Sequence, residues 1–553
     1  MTTLKKVLDK IFMVLIYGSV LIFILYPILS VFRQALFADG VLSFRELQAF
    51  LQEDGYLLKN SIQVAAYTTI LSTVISVSTG IFYLMSGKRP RMIINGIMLL
   101  TMISPPFVTA LSYISLFGRR GFITHNILGL TLNTYGMWGI ILMQSLGFIS
   151  LNCLVITGSL ARLNPQIIHS ARDLGADTNS VIRDVVLPML RPTILIVALL
   201  TFVRSLSDFG TPTIIGGNFN TLATEAYMSM IAYGDITRAA TINIVLFVPA
   251  LLVFFVYRKN LKNTNMTGSG VLEENMLRKR GGLFHAARIL AITFIVMILL
   301  QYGAILLTAF TKKRAGDPYF TLQNFIDTQP YITGTFARSI VYSLIAGIVG
   351  ALLGLLIGYY LEIRKLRFMG LIDLIATLPY IIPGSFFGIG YILAFRGPPL
   401  ILTGTAAIVV LNVLFKQLPF SSKIGIDAAS QINKETINSV KDLGGSDMDV
   451  LKDVVVPVSR NSLFISFANN FTATMTTVGS IIFLVYPGQK LATLVMFDVI
   501  QSGKYGVGSV IALLIILITL SINLLFYKFL LRRDPHVSGS NKPQEALPSY
   551  PSR

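Results

Sequence analysis

Side chains that most often carry chemistry are few in this sequence and lie far apart. The one cysteine, Cys153, lies in an apolar stretch, so an intrachain disulfide is excluded. The histidines have none of the spacings typical of metal ligands; they are His125, His169, His285 and His536. The sequence also has no GxxxxGK[ST] loop, which would be needed to hold nucleotide phosphates. We therefore expect no catalytic residue, no metal site and no cofactor on this chain.

The strongest pattern is instead a polar segment that occurs twice. Residues 169–188 (HSARDLGADTNSVIRDVVLP) align without gaps on residues 438–457 (NSVKDLGGSDMDVLKDVVVP) at an offset of 269. Matched Gly, Pro and Asp residues are not explained by shared apolar composition, so we infer two homologous halves in the same orientation. We call these segments the first repeat loop, about 160–190, and the second repeat loop, about 421–459.

Each repeat loop has the pattern of two short helices joined by a tight turn. Gly175 and Gly444 stand at the turn, where a positive φ angle is expected. Pro188 and Pro457 are expected to end the second short helix before the next apolar stretch begins.

The second short helix of each loop is predicted to be amphipathic. Valines recur at helical spacing on one face, namely Val181, Val185 and Val186 in the first copy and Val450, Val454 and Val455 in the second. Such a helix can pack its apolar face on the protein and offer the other face to a partner. A loop that only stabilises the protein is the alternative.

Two charged residues fall inside one apolar stretch. Arg204 and Asp208 are four residues apart, so on one helix face they could form an ion pair. Charged groups within a membrane span are costly and usually face a cavity or a partner. We therefore predict a polar path lined by this stretch and its repeat counterpart, through Arg204, Ser207, Asp208, Thr474, Thr476 and Thr477. A buried structural ion pair is the alternative.

Four further positions match between the halves and indicate close packing or helix breaks. Gly210 pairs with Gly479 at the offset of 269, and Pro105 pairs with Pro383 at an offset of 278. Glycine permits close approach of helices, and proline interrupts the helical hydrogen bonds.

The elements that position these residues are expected to be membrane helices. Hydrophobic residues make up 54% of the 553 residues and charged residues only 13%, whereas a soluble chain has about a quarter charged. Twelve apolar runs approach or exceed the length of about 20 residues that a span needs. They lie near 11–32, 61–86, 92–117, 135–157, 193–215 and 238–257, and near 286–310, 338–361, 368–394, 401–420, 461–486 and 507–530. We predict an all-α polytopic membrane protein with about 12 transmembrane helices in two homologous six-helix domains.

Polar segments set the predicted domain boundaries. We expect a first domain over 1–257, a cytoplasmic linker over 258–285, a second domain over 286–533 and a disordered cytoplasmic tail over 534–553. Basic residues cluster in short loops on one side of the spans, which places both termini in the cytoplasm. The net charge of +19 is therefore explained by topology, and no nucleic-acid partner is expected.

Each repeat loop resembles the cytoplasmic EAA loop of binding-protein-dependent ABC importer permeases. That loop reads E-A-A, three residues, Gly, nine residues, an aliphatic residue, one residue, then Leu-Pro. The matching places are His169-Ser170-Ala171, Gly175, Val185 and Leu187-Pro188 in the first copy, and Asn438-Ser439-Val440, Gly444, Val454 and Val456-Pro457 in the second. His169 and Asn438 replace the leading Glu. The resemblance covers almost the whole chain, as two fused six-span domains of the type I importer fold.

The resemblance implies that each loop docks on a separate ATPase subunit. The implied coupling residues are His169, Ser170, Ala171, Asp173, Gly175, Pro188, Asn438, Ser439, Val440, Asp442, Gly444 and Pro457. It also implies two copies of that ATPase, which would bind ATP and Mg, and an extracytoplasmic solute-binding protein on the opposite face. The chain itself would be a multi-pass inner-membrane transport subunit in contact with membrane lipid, and not an enzyme.

Within that family, four stretches resemble the fused ferric-iron permeases. They lie at 104–121, 207–217, 378–395 and 476–493. The resemblance therefore implies ferric iron as the cargo. Permeases for 2-aminoethylphosphonate, hexose phosphates and thiamine belong to the same broad group, so these cargoes are alternatives.

Two other classes of function compete with an importer subunit. An ion-coupled secondary transporter can also have two parallel six-helix halves, but it needs an ion relay, and carboxylates are nearly absent from the apolar runs. It also leaves the duplicated loop unexplained. A polytopic membrane enzyme would need clustered His, Asp or Glu at one interface, and the sequence has no such cluster.

Overall fold

The computed structural model describes residues 2–38, 40–119, 121–130, 133–261, 280–314, 317–486 and 488–533. The regular secondary structure in this part of the chain is helical apart from two short antiparallel hairpins, so the predicted all-α class is confirmed. Most of the expected linker, residues 262–279, and all of the expected tail, residues 534–553, lie outside the described residues.

The first half begins with helix α1 and ends with α10. Its helices are α1 (Leu4–Leu36), α2 (Arg45–Leu84), α3 (Lys88–Ile103), α4 (Phe107–Phe117), α5 (Met137–Leu160), α6 (Pro165–Asp173), α7 (Thr178–Ser207), α8 (Gly210–Ile215), α9 (Leu222–Ile231) and α10 (Ile236–Leu261). Strands β1 (Phe37–Ala38) and β2 (Val41–Leu42) pair between α1 and α2, and a π-helical turn at Phe122–Ile127 follows α4.

The second half repeats this order. Its helices are α11 (Gly282–Phe310), α12 (Gln323–Ile332), α13 (Thr335–Ile363), α14 (Met369–Tyr380), α15 (Gly384–Phe395), α16 (Ala406–Ser430), α17 (Lys434–Asp442), α18 (Arg460–Thr476), α19 (Ala492–Gln501) and α20 (Tyr505–Arg533). Strands β3 (Thr311–Arg314) and β4 (Asp317–Phe320) pair between α11 and α12. Three short helical segments, Asp447–Asp449, Val450–Val455 and Val456–Val458, precede α18.

The number of membrane-length helices is close to the prediction. Within the described ranges, nine helices are long and apolar enough to cross a membrane, or up to eleven if two bent pairs each count as one span. The remaining predicted run, 461–486, holds α18, which is only 17 residues long. A helix of that length reaches about 25 Å, slightly less than the hydrocarbon core of a bilayer.

Helix α2 extends well beyond the predicted span 61–86. It begins at Arg45 and has 40 residues, which corresponds to a length of about 60 Å. Since a bilayer core is only about 30 Å thick, α2 is about twice as long as an untilted span needs.

Both bent pairs break at the prolines that match between the halves. Helices α3 and α4 meet at 107° around Pro105, and α14 and α15 meet at 116° around Pro383. Proline lacks an amide hydrogen and restricts the residue before it, so the helical ladder ends there. The predicted helix breaks at Pro105 and Pro383 are confirmed.

The first helix of each half packs on the opposite half. From α1, the Phe23 carbonyl accepts a hydrogen bond from the Tyr391 hydroxyl at 2.8 Å, and the Phe23 ring stacks on Phe415 with centroids 5.1 Å apart. From α11, Tyr302 and Ser104 pair through their hydroxyls at 2.6 Å. The two halves are therefore interlocked, each holding a helix of the other.

Corresponding helices in each half cross with little space between them. In the second half, a Cβ on Gly354 would lie 2.3 Å from the Ser421 carbonyl oxygen, so only glycine fits where α13 meets α16.

A polar pair stabilises each bundle: Asn152 donates to Thr201 at 2.9 Å in the first half, and Asn470 donates to Ser421 at 2.8 Å in the second. At the offset of 269 these are the same two positions with the amide and the hydroxyl exchanged.

Candidate functional site

Each repeat loop begins with a capped short helix. Asn164 accepts a hydrogen bond from the Gln166 amide at 3.0 Å at the start of α6, and Asn433 accepts one from the Glu435 amide at 3.0 Å at the start of α17. An Asn side chain at this position satisfies an amide that has no partner within the helix. The two loops thus start in the same way.

Each short helix ends at a glycine in the left-handed region, as predicted. The φ angle is +89° at Gly175 and +82° at Gly444. The amide after each glycine donates back across the turn, from Ala176 to the Ala171 carbonyl at 3.0 Å and from Gly445 to the Val440 carbonyl at 2.8 Å. This 6→1 hydrogen bond is the C-terminal capping arrangement that glycine favours.

The expected helix ends at Pro188 and Pro457 are wrong. In the first copy the segment after the turn continues through Pro188 as one helix, α7, with a π-helical turn at Val181–Val186. Proline follows that turn in the first turn of the next α-helical segment, where its missing amide hydrogen costs little. In the second copy the helix passes Pro457 and breaks at Ser459.

The predicted amphipathic face of this segment is confirmed in both copies. Val181, Val186, Val450 and Val455 are fully buried. On the outer face of the first copy, Arg183 and Asp184 are exposed and pair with each other at 2.8 Å. The apolar side therefore fixes each loop to its bundle and leaves the other side free for a partner.

Apart from Pro188 and Pro457, the predicted coupling residues lie in the short helices and glycine turns of the loops. Most are exposed: Ser170, Asp173, Gly175, Asn438, Ser439, Asp442, Gly444 and Pro457. The others are half-buried: His169, Ala171, Pro188 and Val440. Sequence reasoning missed Leu174 and Leu443, which precede the two glycines and are each 89% exposed. Their signal was available, since leucine occurs at both matching positions of the repeat.

The second repeat loop is also held by the N-terminal helix. Lys5 forms a salt bridge with Asp449 at 2.6 Å, and Arg364 bridges Asp9 at 3.2 Å and Asp447 at 2.8 Å. The ammonium group of Lys5 and the hydroxyl of Ser446 lower the pKa of the Asp449 carboxyl.

The first repeat loop contacts the start of α11 in an equivalent way. The Asn179 side-chain oxygen accepts a hydrogen bond from the Leu283 amide at 3.1 Å. Each loop therefore touches the first helix of the opposite half.

A cavity of about 520 Å³ lies between the two halves. Both bent pairs form part of its wall, through Ser104, Pro105 and Pro106 on one side and Pro379, Tyr380, Ile382 and Gly384 on the other. Polar side chains from several further helices line it, among them Gln144, Ser207, Gln301, Tyr302, Gln417 and Thr476. Its charged lining residues are Arg204, Asp208 and Lys416.

The predicted ion pair between Arg204 and Asp208 is wrong. Helix α7 ends at Ser207, so Asp208 lies outside the helix and does not share a face with Arg204. Its carboxylate instead accepts hydrogen bonds from the Gln144 amide at 3.0 Å and from the backbone amides of Gly210 and Thr211 at 3.0 and 3.2 Å. The carboxylate caps the next short helix, α8, where amides without a partner in the helix favour an anion.

Four of the six residues predicted for the polar path line this cavity. They are Arg204, Ser207, Asp208 and Thr476. Thr474 is buried and Thr477 is half-buried, and neither belongs to the cavity wall. Gly210 fits the predicted close packing, because a Cβ there would lie 2.5 Å from the Phe107 ring.

Lys416 was missed by the sequence interpretation. It lies in α16, and its ammonium donates to the carbonyl oxygens of Pro379 and Ile382 at 2.8 and 2.6 Å. These carbonyls are exposed because the helix breaks there. A single lysine within the predicted span 401–420 was the available signal.

Two curated relatives that align over most of the chain are named as ferric transport permeases. The ferric transport system permease protein FbpB of Actinobacillus pleuropneumoniae is 27% identical over 91% of this chain and 76% of its own length. A putative FbpB of Haemophilus influenzae is 26% identical over 84% of this chain and 76% of its length. A putative 2-aminoethylphosphonate permease of Salmonella typhi, PhnV, is 25% identical over 42% of this chain and 90% of its length.

A family model matches this chain twice, once in each half. The model describes the binding-protein-dependent transport system inner membrane component, and it matches residues 72–263 and 350–539. Each match contains one repeat loop, and together they cover more than half of the chain. The chain is thus a multi-pass inner-membrane transport subunit and belongs to the family of binding-protein-dependent transport system inner membrane components.

Proposed function

We propose that this permease subunit imports ferric iron, driven by two copies of an ATPase that dock on the two repeat loops. The ATPase subunits would bind ATP and Mg, and a solute-binding protein would deliver the cargo to the opposite face. The observation that carries the proposal is the matching pair of exposed loop tips, each with a glycine turn and an exposed leucine.

The two loop tips have the properties of docking surfaces for two copies of the same partner. Leu174 and Leu443 are each 89% exposed, although each loop is anchored by fully buried valines. An exposed leucine on a rigid support gains about 2 kcal/mol when a partner covers it. Two equivalent tips fit two copies of one subunit better than a single asymmetric partner.

Helix α7 provides a direct connection from the first loop to the cavity. It runs without interruption from Thr178 at the loop to Ser207 at the cavity wall. When the partner moves the loop, this helix moves the groups at its far end, Arg204 and Ser207. In the second half the helix breaks at Ser459, so the two halves respond differently to the same movement.

The proposed orientation is supported by the charges beside the loops. Lys5 contacts the second repeat loop, so the N-terminus and the loops lie on one side of the protein. By the positive-inside rule this is the cytoplasmic side, where ATP is available. We place both termini there and the docking face for the solute-binding protein at the opposite end of the cavity.

Ferric iron is the proposed cargo because two of the relatives aligned over most of the chain are named for it. Both align over more than four fifths of this chain, whereas the relative named for 2-aminoethylphosphonate aligns over 42%. Transport would involve no bond breaking on this chain, so no residue has a catalytic role.

The proposal is tested by purifying the tagged full chain from its own membranes in mild detergent. We expect mass spectrometry to find about two copies of an ATPase subunit per chain. The double variant Leu174→Gln with Leu443→Gln should lose most of that subunit, because a polar group then replaces the apolar contact at both tips.

The matched control is Leu128→Gln with Leu400→Gln, which changes two exposed leucines outside the repeat loops. This control should retain the ATPase. A wild-type chain that purifies without any ATPase, yet still transports in vesicles along an ion gradient, would instead establish the secondary transporter.

A further inference from the structure

The charges on the cavity wall do not balance. Two cations, Arg204 and Lys416, and one carboxylate, Asp208, line the space between the halves. Each half contributes one cation, and the positions that correspond to them at the offset of 269 are Ala473 and Gly147. The excess of positive charge is therefore a property of the assembled cavity and not of the repeat.

Asp208 does not neutralise either cation. Its two oxygens accept hydrogen bonds from Gln144, Gly210 and Thr211, and it forms no ion pair with Arg204 or Lys416. The amide group of Gln144 is itself held by Ser205, whose hydroxyl donates to it at 2.5 Å. The carboxylate of Asp208 is thus held as a helix cap, and the groups that donate hydrogen bonds to it are neutral.

Arg204 has no counter-ion in the part of the chain that the structure describes, and Tyr380 is the ionisable side chain beside it. Its guanidinium lies on the cavity wall without a hydrogen bond or ion pair, although the neighbouring Gln144 and Asp208 are both bonded. The side chain of Arg204 is exposed to the cavity, so a ligand there can reach its guanidinium and supply the missing negative charge. The flat guanidinium is suited to two parallel hydrogen bonds with one oxyanion.

Lys416 adds a second donor to the same space. Its ammonium has three hydrogens, and two are used by the carbonyls of Pro379 and Ile382. The ammonium also lies 5.7 Å from the centre of the Phe387 ring, and none of these three partners is an anion. Because α14 and α15 break at those carbonyls, the ammonium is held in place before any ligand arrives.

The cavity offers little to a bare metal cation. Among the described residues, no group of three or more His, Cys, Asp or Glu side chains lies close enough together to hold a metal ion. A bare ferric ion would meet two positive side chains and one carboxylate that is already hydrogen-bonded.

We propose that this cavity binds an oxyanion of the phosphate or phosphonate type through Arg204 and Lys416, and that the cargo crosses as an anion. This inference rests on the proposed importer and narrows its cargo. The oxyanion could belong to a ferric complex, in which phosphate ligands accompany the iron, or to an organic phosphate or phosphonate that carries no metal.

Binding is tested on the purified full chain in lipid nanodiscs, with inorganic phosphate and 2-aminoethylphosphonate as separate probes at millimolar concentration. We expect wild type to bind at least one of them and Arg204→Gln to bind it about tenfold more weakly, as for the loss of one charge-assisted hydrogen-bond pair. Arg204→Lys should recover part of the affinity. The control Arg191→Gln changes an exposed arginine of the same helix outside the cavity and should bind as wild type.

Uptake experiments in cells that contain the complete transporter distinguish the two sources of the oxyanion. Joint entry of ⁵⁵Fe and ³²P-phosphate, reduced by Arg204→Gln, would identify a ferric complex. Uptake of labelled 2-aminoethylphosphonate without iron would identify the organic source. Both outcomes support an anionic cargo.

Two results would overturn the anion site. One is the absence of any binding of either probe to wild type, and the other is ⁵⁵Fe uptake without phosphate at a rate that Arg204→Gln does not change. Failure of the importer proposal looks different: wild type would bind the anion but would take up no probe in an ATP-dependent manner.

Discussion

Glycine at the tip of each repeat loop is required by backbone conformation and not by space. Gly175 and Gly444 have φ angles of +89° and +82°, and a Cβ at either position would meet nothing within 4 Å. Only the backbone angle therefore opposes a larger residue. A β-branched residue avoids this region most strongly, at a cost of roughly 1–3 kcal/mol per position.

The double variant Gly175→Val with Gly444→Val is expected to insert normally and to lose nearly all ATP-dependent uptake. The reason is that both turns must rearrange, which displaces the adjacent Leu174 and Leu443 from the positions that the partner needs. Uptake and retained ATPase are measured in the same preparation.

The control for this variant is Gly87→Val. Gly87 has a φ of −76° and open space around it, so valine is accommodated there without strain. Wild-type uptake by the double variant would refute the role of the loops in coupling.

At the scale of elements, the crossing of α13 and α16 depends on backbone approach. The carbonyl oxygen of Ser421 lies where a Cβ on Gly354 would be, and the carbonyl oxygen of Gly354 lies 2.1 Å from a Cβ on Gly425. Small residues let membrane helices approach and pack, which replaces the hydrophobic driving force that lipid removes.

Gly354→Ala is expected to lower the midpoint of thermal unfolding in detergent by several degrees. One added methyl group must push the two helices apart, and overpacking of this kind costs about 1–3 kcal/mol. The purified chain is heated to a series of temperatures, and the fraction that remains folded is measured by size-exclusion chromatography.

Gly303→Ala makes the same change in another membrane helix, α11, where nothing lies within 4 Å of the new methyl group. This variant should be as stable as wild type or slightly more stable, because alanine favours helix over glycine. If Gly354→Ala and Gly303→Ala had the same midpoint of thermal unfolding, the close crossing would contribute nothing to stability.

At the scale of the whole molecule, the interlocked first helices join the loops to the opposite half. Lys5 on α1 pairs with Asp449, and Arg364 joins Asp9 to Asp447. The pairs are partly exposed to solvent, so each contributes little to stability. Their importance lies in fixing α1 to the second repeat loop.

Lys5→Glu should loosen this contact, because it places a carboxylate beside Asp449. We expect amide hydrogens of the segment 446–451 to exchange about two- to fivefold faster, in proportion to the energy of an exposed ion pair. Hydrogen exchange with mass spectrometry measures this without knowledge of the cargo.

Lys10→Glu provides a matched control, since it makes the same charge change on the same helix at an exposed residue outside these salt bridges. Its exchange in the segment 446–451 should match wild type. If hydrogen exchange became equally faster in both variants, the total charge of the N-terminal helix would be the cause. The salt bridge of Lys5 would then have no specific role.

The sequence was sufficient for features that depend on local chemistry. Apolar runs of membrane length, glycine at both turns and proline at both helix breaks each follow from one residue type in its immediate neighbourhood, and the structure agrees with them. Duplication of the loop was also visible, because the polar segment kept its pattern through the repeat. The division of the chain at 258–285 stays a prediction.

Only the tertiary structure decided which groups meet. Arg204 and Asp208 are four residues apart in sequence, yet the helix ends between them. The Asp208 carboxylate instead accepts hydrogen bonds from donors at three other positions. Lys416 donates hydrogen bonds to backbone carbonyls that have no helical partner because the helix breaks at Pro383. Sequence spacing predicts contacts within one continuous helix, whereas the unpaired charge in the cavity results from how different helices end and from which half each one packs against.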